Sequence, residues 1–387
     1  MDELYYGRGK DCDNSRMIDF INEVFFGDDE NNTEFLKLLP KIYKDKYRPA
    51  YNNFVVQDAD GTFRSAIGNF YNDMTVGGID LKTCCIGNVA VGAEYRSMGY
   101  MKKLMEMSVE DMKNNGTALS YLGGQRQRYG YFGYENSGVC YNFVFSRNSY
   151  KHSLRNMAGG LSFEKLTEDD KELYDFIDGI YAKQPVISRR PKDAYYDILC
   201  SWCDIPYIVR ENGTPVGYAV LSTDNKNISE FGLADNALLP RFIASLFETF
   251  DVREFHFDIA PFETEKAAFF TRTASGMDIG GSESILVFDY KTVITAFLRA
   301  KAAYTTLCDG EMTVLIHGVK GDEKLKISVI NNTVNVENTE DTAQAEFDCH
   351  EAVRAFFSIY PTDRAKLSPQ AQSWLPLPMY FSSRDTM

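Results

Sequence analysis

Residues 86–134 read IGNVAVGAEYRSMGYMKKLMEMSVEDMKNNGTALSYLGGQRQRYGYFGY, and the rest of the chain is read outward from them. Ile86 to Val91 is short, apolar and β-branched, the composition of a buried strand. A small-and-charged turn follows, Gly92-Ala93-Glu94-Tyr95-Arg96-Ser97-Met98-Gly99. Met101, Leu104, Met105, Ser108 and Met112 then recur at helical spacing until Asn114-Asn115-Gly116 stops the helix. A second strand, Thr117–Leu122, leads through Gly123-Gly124 to Tyr129-Gly130-Tyr131-Phe132-Gly133-Tyr134.

Strand, turn, helix, strand is a βαβ unit, and its turn has the chemistry of an anion cradle. Gly99 removes a Cβ where a ligand must approach the backbone. The next amides open the helix without intrahelical partners, and the dipole adds about half a positive charge there. An anion fits such a place without a lysine. Taken alone, the R-x-x-G of Arg96–Gly99 also reads as an ordinary strand-to-helix turn.

The combination is more specific. Val89-Ala90-Val91, then Arg96-Ser97-Met98-Gly99-Tyr100-Met101, then Tyr129 resembles the acyl-CoA site of the GNAT superfamily of N-acetyltransferases. The resemblance implies that Val89, Ala90 and Val91 orient the pantetheine and thioester of acetyl-CoA, and that Arg96 to Met101 hold its pyrophosphate. Met101 stands where the family's turn has a second Gly or Ala. The run from Tyr129 to Tyr134 is similar to the YGRFGYG segment of the Eis family, which acetylates aminoglycosides and other amines.

With 387 residues the chain exceeds one comfortable core, and two or three domains are expected. The order of elements predicts a mixed α+β protein: a catalytic GNAT domain over 1–150, a second, degenerate GNAT-like domain over 151–290, and a third region over 291–387. In the second half the corresponding turn is Leu233-Ala234-Asp235-Asn236-Ala237, with no R-x-x-G-x-G, so no second CoA is expected there. The last region reads as a helix, three strands with turns at Gly321-Asp322 and Asn331-Asn332, and further helices, resembling the sterol-carrier-like domain of Eis enzymes.

The net charge of −14 argues against nucleic acid and is compatible with a cationic substrate. No stretch reaches the ~20 apolar residues of a membrane helix, and no signal peptide is read, so a cytoplasmic, membrane-free protein is expected. Eight scattered cysteines fit reduced core residues; the C-x-x-C of Cys200–Cys203 lacks a second pair, and no metal is expected. The resemblance further implies a homo-oligomer, a hexamer in the Eis family.

Acetyl transfer to an amine poses two proton problems. An amine of pKa near 10 is neutral about once in a thousand at pH 7, a cost of roughly 4 kcal/mol. The thiolate then needs a donor. The resemblance gives the donor role to Tyr129, although a chain with 24 tyrosines also holds stacking and core ones, for which Tyr131 and Tyr134 are the candidates. The resemblance gives the base role to the chain's own terminal carboxylate, here that of Met387. The apolar, proline-interrupted tail Trp374–Phe381 should pack as an extended strap, whether or not its end takes part in chemistry. Asp28 and Phe35 fall where the family's amine pocket has an acid and an aromatic, within an acidic segment (Asp28, Asp29, Glu30) that also reads as a solvated loop. Two readings compete with an amine acetyltransferase: a non-catalytic acyl-CoA or apolar-ligand sensor, and a peptide or protein N-acetyltransferase.

Overall fold

A computed structural model describes residues 4–27, 34–154 and 157–387. Two seven-stranded sheets lie at its centre, each with a parallel pair inside an otherwise antiparallel order. The first sheet runs Tyr5–Arg8, Asn53–Gln57, Phe63–Tyr71, Thr83–Val91, Leu119–Leu122, Ser284–Val287, Glu135–Asn136. The second runs Ser162–Lys165, Ile205–Glu211, Thr214–Leu221, Asn227–Leu233, Glu254–Ile259, Cys140–Ser146, Gly276–Gly280.

The two halves trade strands. Cys140–Ser146 pairs along its length with Glu254–Ile259 of the second sheet. Ser284–Val287 returns to the first sheet beside Leu119–Leu122, with Ser284 opposite Leu122. A small sheet of Val186–Ser188, Met74–Val76 and Ile79–Leu81 ties the halves again.

Each strand of the βαβ unit alternates its burden. Cys84 and Ile86 face the helix Tyr100–Asn114, which buries Tyr100, Leu104, Met105, Ser108 and Met112 at three-to-four spacing. Cys85 and Tyr121 face the other way, toward the C-terminal region and the tail.

The third region is a four-stranded sheet, Thr333–Asn338, Gly321–Ile330, Gly310–Gly318 and Ala345–Asp348 in spatial order, covered by the helices Tyr290–Ala302 and Cys349–Phe357. Met312, Val314 and Ile316 alternate into its core. Asp348 and Glu351 close a capping box at the start of the second helix. From there the tail runs back between the halves. Trp374, Leu377, Met379 and Phe381 are all buried, each stabilising the docked tail by about 1.5–3 kcal/mol. Among the described residues, no helix is long and apolar enough to cross a membrane.

Candidate active site

The Thr83–Val91 and Leu119–Leu122 strands pair only from Thr83–Leu119 to Cys85–Tyr121, and then part. On its other side Thr83–Val91 carries a bulge: Ala66 pairs Ala90 and Gly68 pairs Gly87, so Ile67 faces both Asn88 and Val89. Asn88 takes a positive φ of 36° there, and its amide group donates to Asn53 Oδ1 at 2.6 Å. Beyond Cys85 and Tyr121 the two strands no longer pair, and Val89, Ala90 and Val91 edge the slot that this splay opens between them.

Above the slot, the turn ends at Gly99 with φ 81°. A Cβ built at Gly99 would meet open space, so the glycine serves the left-handed backbone rather than a close contact. No side chain caps the helix, and the first internal bond runs from the Lys103 amide to the Gly99 carbonyl. The amides of Tyr100, Met101 and Lys102 are therefore left to an outside acceptor. Arg96, Ser97 and Met98 are exposed beside them, whereas Tyr100 is buried with its hydroxyl at 3.1 Å from Arg64 Nη1. A diphosphate fits this end in charge and in donors.

Tyr129 lies in the short helix Arg126–Gly130, buried against Leu104, Leu122 and Leu286 on the face that carries the Tyr100–Asn114 helix. Its ring lies so close to the chain at Gly124 that a Cβ there would come within 2.7 Å of Cε2. Burial pushes the phenol pKa upward, opposed in part by Arg128. Its neighbours divide as expected of stacking and core tyrosines: Tyr134 is buried with its hydroxyl on Ser120 Oγ at 2.7 Å, and Tyr131 is 67% exposed. The loop is braced from the third region, where Arg354 reaches the buried Glu135 at 2.7 Å and His350 Nε2 meets the Gly130 carbonyl at 2.9 Å. Arg126 pairs with the same Glu135 at 2.5 Å. Burial works against the Glu135 charge, but these cations and the Asn136 amide hold its pKa down to about 2.

Met387 docks on the opposite face. Its thioether occupies the space over Gly87, where a Cβ would clash with Sδ. It packs among Phe70, Ala66 and Ala90, in the same apolar cluster as Phe35 and Tyr43. It also lines a cavity of about 560 Å³ with Lys41, Phe70, Cys85, Tyr121 and Asp385. Phe35 does not reach that cavity; it packs against Phe25, Phe26 and Tyr43. Asp28 lies outside the described residues.

The tail is held by charges that no sequence motif announced. Arg190, almost fully buried, grips Asp385 (2.9 Å) and Glu230 (2.7 Å) together. Arg384 pairs with Asp204 at 2.9 Å. Lys41 Nζ donates to the carbonyls of Arg384 and Thr386 at 2.5 and 2.7 Å. Burial lowers the Lys41 pKa to about 7, despite the nearby Asp385. Tyr121 stacks on Phe381 with ring centroids 4.1 Å apart, and its hydroxyl donates to the Asp385 carbonyl at 3.1 Å.

Against this geometry the comparisons are direct. Residues 7–137 match the family model of the acetyltransferase (GNAT) domain. No curated protein matches the sequence. Solved structures match over nearly the whole chain. A probable N-acyltransferase from Enterococcus faecalis V583 is 17% identical, with 98% of this chain and 100% of that one covered at a TM-score of 0.69. A GCN5-related N-acetyltransferase from Anabaena variabilis is 12% identical over 99% and 98%, at 0.67. Eis1 from Mycobacterium abscessus is 14% identical over 100% and 99%, at 0.64. At these identities the likeness is one of fold. It extends over the whole chain, both halves and the third region.

Proposed function

We propose that this protein transfers the acetyl group of acetyl-CoA to an amine of a small cationic molecule, of aminoglycoside or polyamine type. One observation carries the reading: a slot through the first sheet, with uncapped helix amides at its upper end, has a buried tyrosine on one face and the docked chain terminus on the other. The amides of Tyr100 to Lys102 and the Arg96 guanidinium hold the diphosphate, and the edge of Val89 to Val91 aligns the thioester. Met387 lines the cavity, and its carboxylate attracts the substrate ammonium. Attack is direct, in a ternary complex. Tyr129 donates to the departing sulfur; full transfer from a phenol of raised pKa is uphill, so its contribution is a strong hydrogen bond as the C–S bond breaks. The third region belongs with this reading as a sterol-carrier-like module whose tail completes the site. A cytoplasmic homo-oligomer, hexameric as in Eis enzymes, is part of the same proposal.

Thiol release from acetyl-CoA, measured against a panel of polyamines, aminoglycosides and peptides, tests this. Release with small polyamines or aminoglycosides is expected; CoA binding with no release over background supports a sensor instead. Tyr129→Phe should lower kcat about 100-fold with CoA affinity unchanged. An unaltered kcat would remove Tyr129 from the chemistry.

A further inference from the structure

A half-buried carboxylate lies just beyond the end of the parallel strand pair, with no partner for its side chain among the described residues. Glu283 immediately precedes the Ser284–Val287 strand that the second half lends to the first sheet. Because Ser284 pairs Leu122, Glu283 falls opposite Gly123, the first residue beyond the end of the parallel strand. Its Oε2 sits 3.3 Å from where a Gly123 Cβ would be, so the carboxylate lies close against the chain there. Alternation puts it on the face of Ile285, Tyr121 and Cys85, the Met387 side of the sheet. Its backbone carbonyl accepts from Ser137, but among the described residues no hydrogen bond or ion pair reaches its side-chain oxygens. A carboxylate drawn partly out of water without a partner is costly, and this desolvation raises its pKa to about 7.

We infer that Glu283, on the Met387 side of the sheet, is the proton acceptor for the substrate amine, while the Met387 carboxylate holds the ammonium in place. This rests on the acetyltransferase reading and extends it to a residue from the other half of the chain. A carboxylate near the ordinary terminal value of about 3.5 is a weak base toward an ammonium. One matched to neutral pH is a far better acceptor. The protons balance as follows. Glu283 takes one from the ammonium, and the neutral nitrogen forms the C–N bond. As the C–S bond breaks, Tyr129 hydrogen-bonds the departing sulfur, the second nitrogen proton reaches that thiolate through water, and the proton on Glu283 passes to solvent. The titratable groups around it are few. The Cys85 thiol is pushed up to about 12 by burial first and by the charge of Glu283 next, and the Met387 amide and Tyr121 hydroxyl lie within reach of that thiol. Beyond it stand Asp385 and the Lys41 ammonium.

The test compares Glu283→Gln with the native protein across pH 5–9, using acetyl-CoA and the panel amine that turns over fastest. Native kcat/KM should climb through pH 7 and level off. The variant should be down at least 100-fold at pH 7 and keep rising about tenfold per pH unit, because hydroxide and solvent then do the deprotonation. CoA affinity should match, and the variant should gain thermal stability relative to native as pH rises from 4.5 to 7. The sign follows from a carboxyl that binds its proton more tightly folded than unfolded: its contribution to stability declines over that window, and Gln has no such decline. An unchanged pH profile, or a loss of turnover matched by loss of CoA binding, overturns the assignment. If the native protein acetylates nothing in the panel, the acetyltransferase reading itself falls, and this inference with it; that outcome is seen without the variant.

Discussion

The two halves start from one plan and end as opposites. In each, a parallel strand pair holds for two or three residues and then splays, between Asn227–Leu233 and Glu254–Ile259 in the second half as between Thr83–Val91 and Leu119–Leu122 in the first. The first half keeps its gap. In the second, Lys266 reaches in, its Nζ donating to the Phe231 carbonyl at 2.8 Å and pairing with Glu263. Tyr380 and Ser382 of the tail line what is left, a cavity of about 30 Å³, room for a water or two. The turn differs in the same sense. Where the first half offers Gly99 and bare amides, the second has Asp235, whose carboxylate accepts from the Ala237 amide at 2.9 Å. Its helix Leu239–Thr249 begins with Pro240, which has no N–H to offer. A carboxylate already sits where a phosphate would need to be. The second half has become the platform that anchors the tail, through Arg190 and Glu230, and so sets the position of Met387 in the first.

Cutting that anchor should have the largest effect on the division of labour. Arg190→Met leaves Glu230 and Asp385 buried without the guanidinium that bridges them. Losing one member of a buried ion cluster costs about 3–5 kcal/mol. Denaturant unfolding should register that loss, and turnover should collapse even at temperatures where the protein stays folded, since Met387 is no longer held on Gly87. If stability falls while kcat holds, the tail is structural and the terminal carboxylate has no part in the reaction.

Much of the first half was legible because its chemistry is local. The turn, the helix stop at Asn114-Asn115-Gly116 and the tyrosine run lie within fifty residues, and each is set by backbone geometry that a glycine or a hydrophobic period announces. The strand traded at Cys140–Ser146 and its counterpart at Ser284–Val287 were not legible as an exchange. Nothing in period-two spacing says which sheet a strand will join. The same reason hid Lys41, Arg190 and Glu283. Each is an ordinary charged residue in sequence, and it is long-range packing that buries it and gives it work. The tail was readable as a buried strap from its composition, but its lock, Arg384-Asp385 on the second half, was not.

Gly99→Ala probes the open side of the comparison more gently. Its Cβ would enter free space, so the cost is confined to the backbone, about 1–2 kcal/mol for an L-residue in the left-handed region. If the turn relaxes to escape it, the amides swing off their line and CoA binding, read by calorimetry, should weaken roughly tenfold with kcat at saturation little changed. Unaltered affinity would mean that the diphosphate does not rest on this turn.

The smallest effect is expected on the closed side, and it is the sharpest test of why one half binds and the other does not. Asp235→Ala removes the carboxylate that satisfies the Ala237 amide, a cap worth about 1 kcal/mol of stability. It also frees one donor at the mouth of the second splay. If a lone capping carboxylate were what excludes a nucleotide there, titration with CoA should now report two sites per chain. The geometry predicts one. Pro240 still lacks its N–H, and Lys266 with the tail still fills the gap where pantetheine would thread. An anion attracted to the vacated amide would find one donor, no left-handed glycine and no channel beneath it, so calorimetry should show a single CoA bound with native affinity alongside the modest fall in stability.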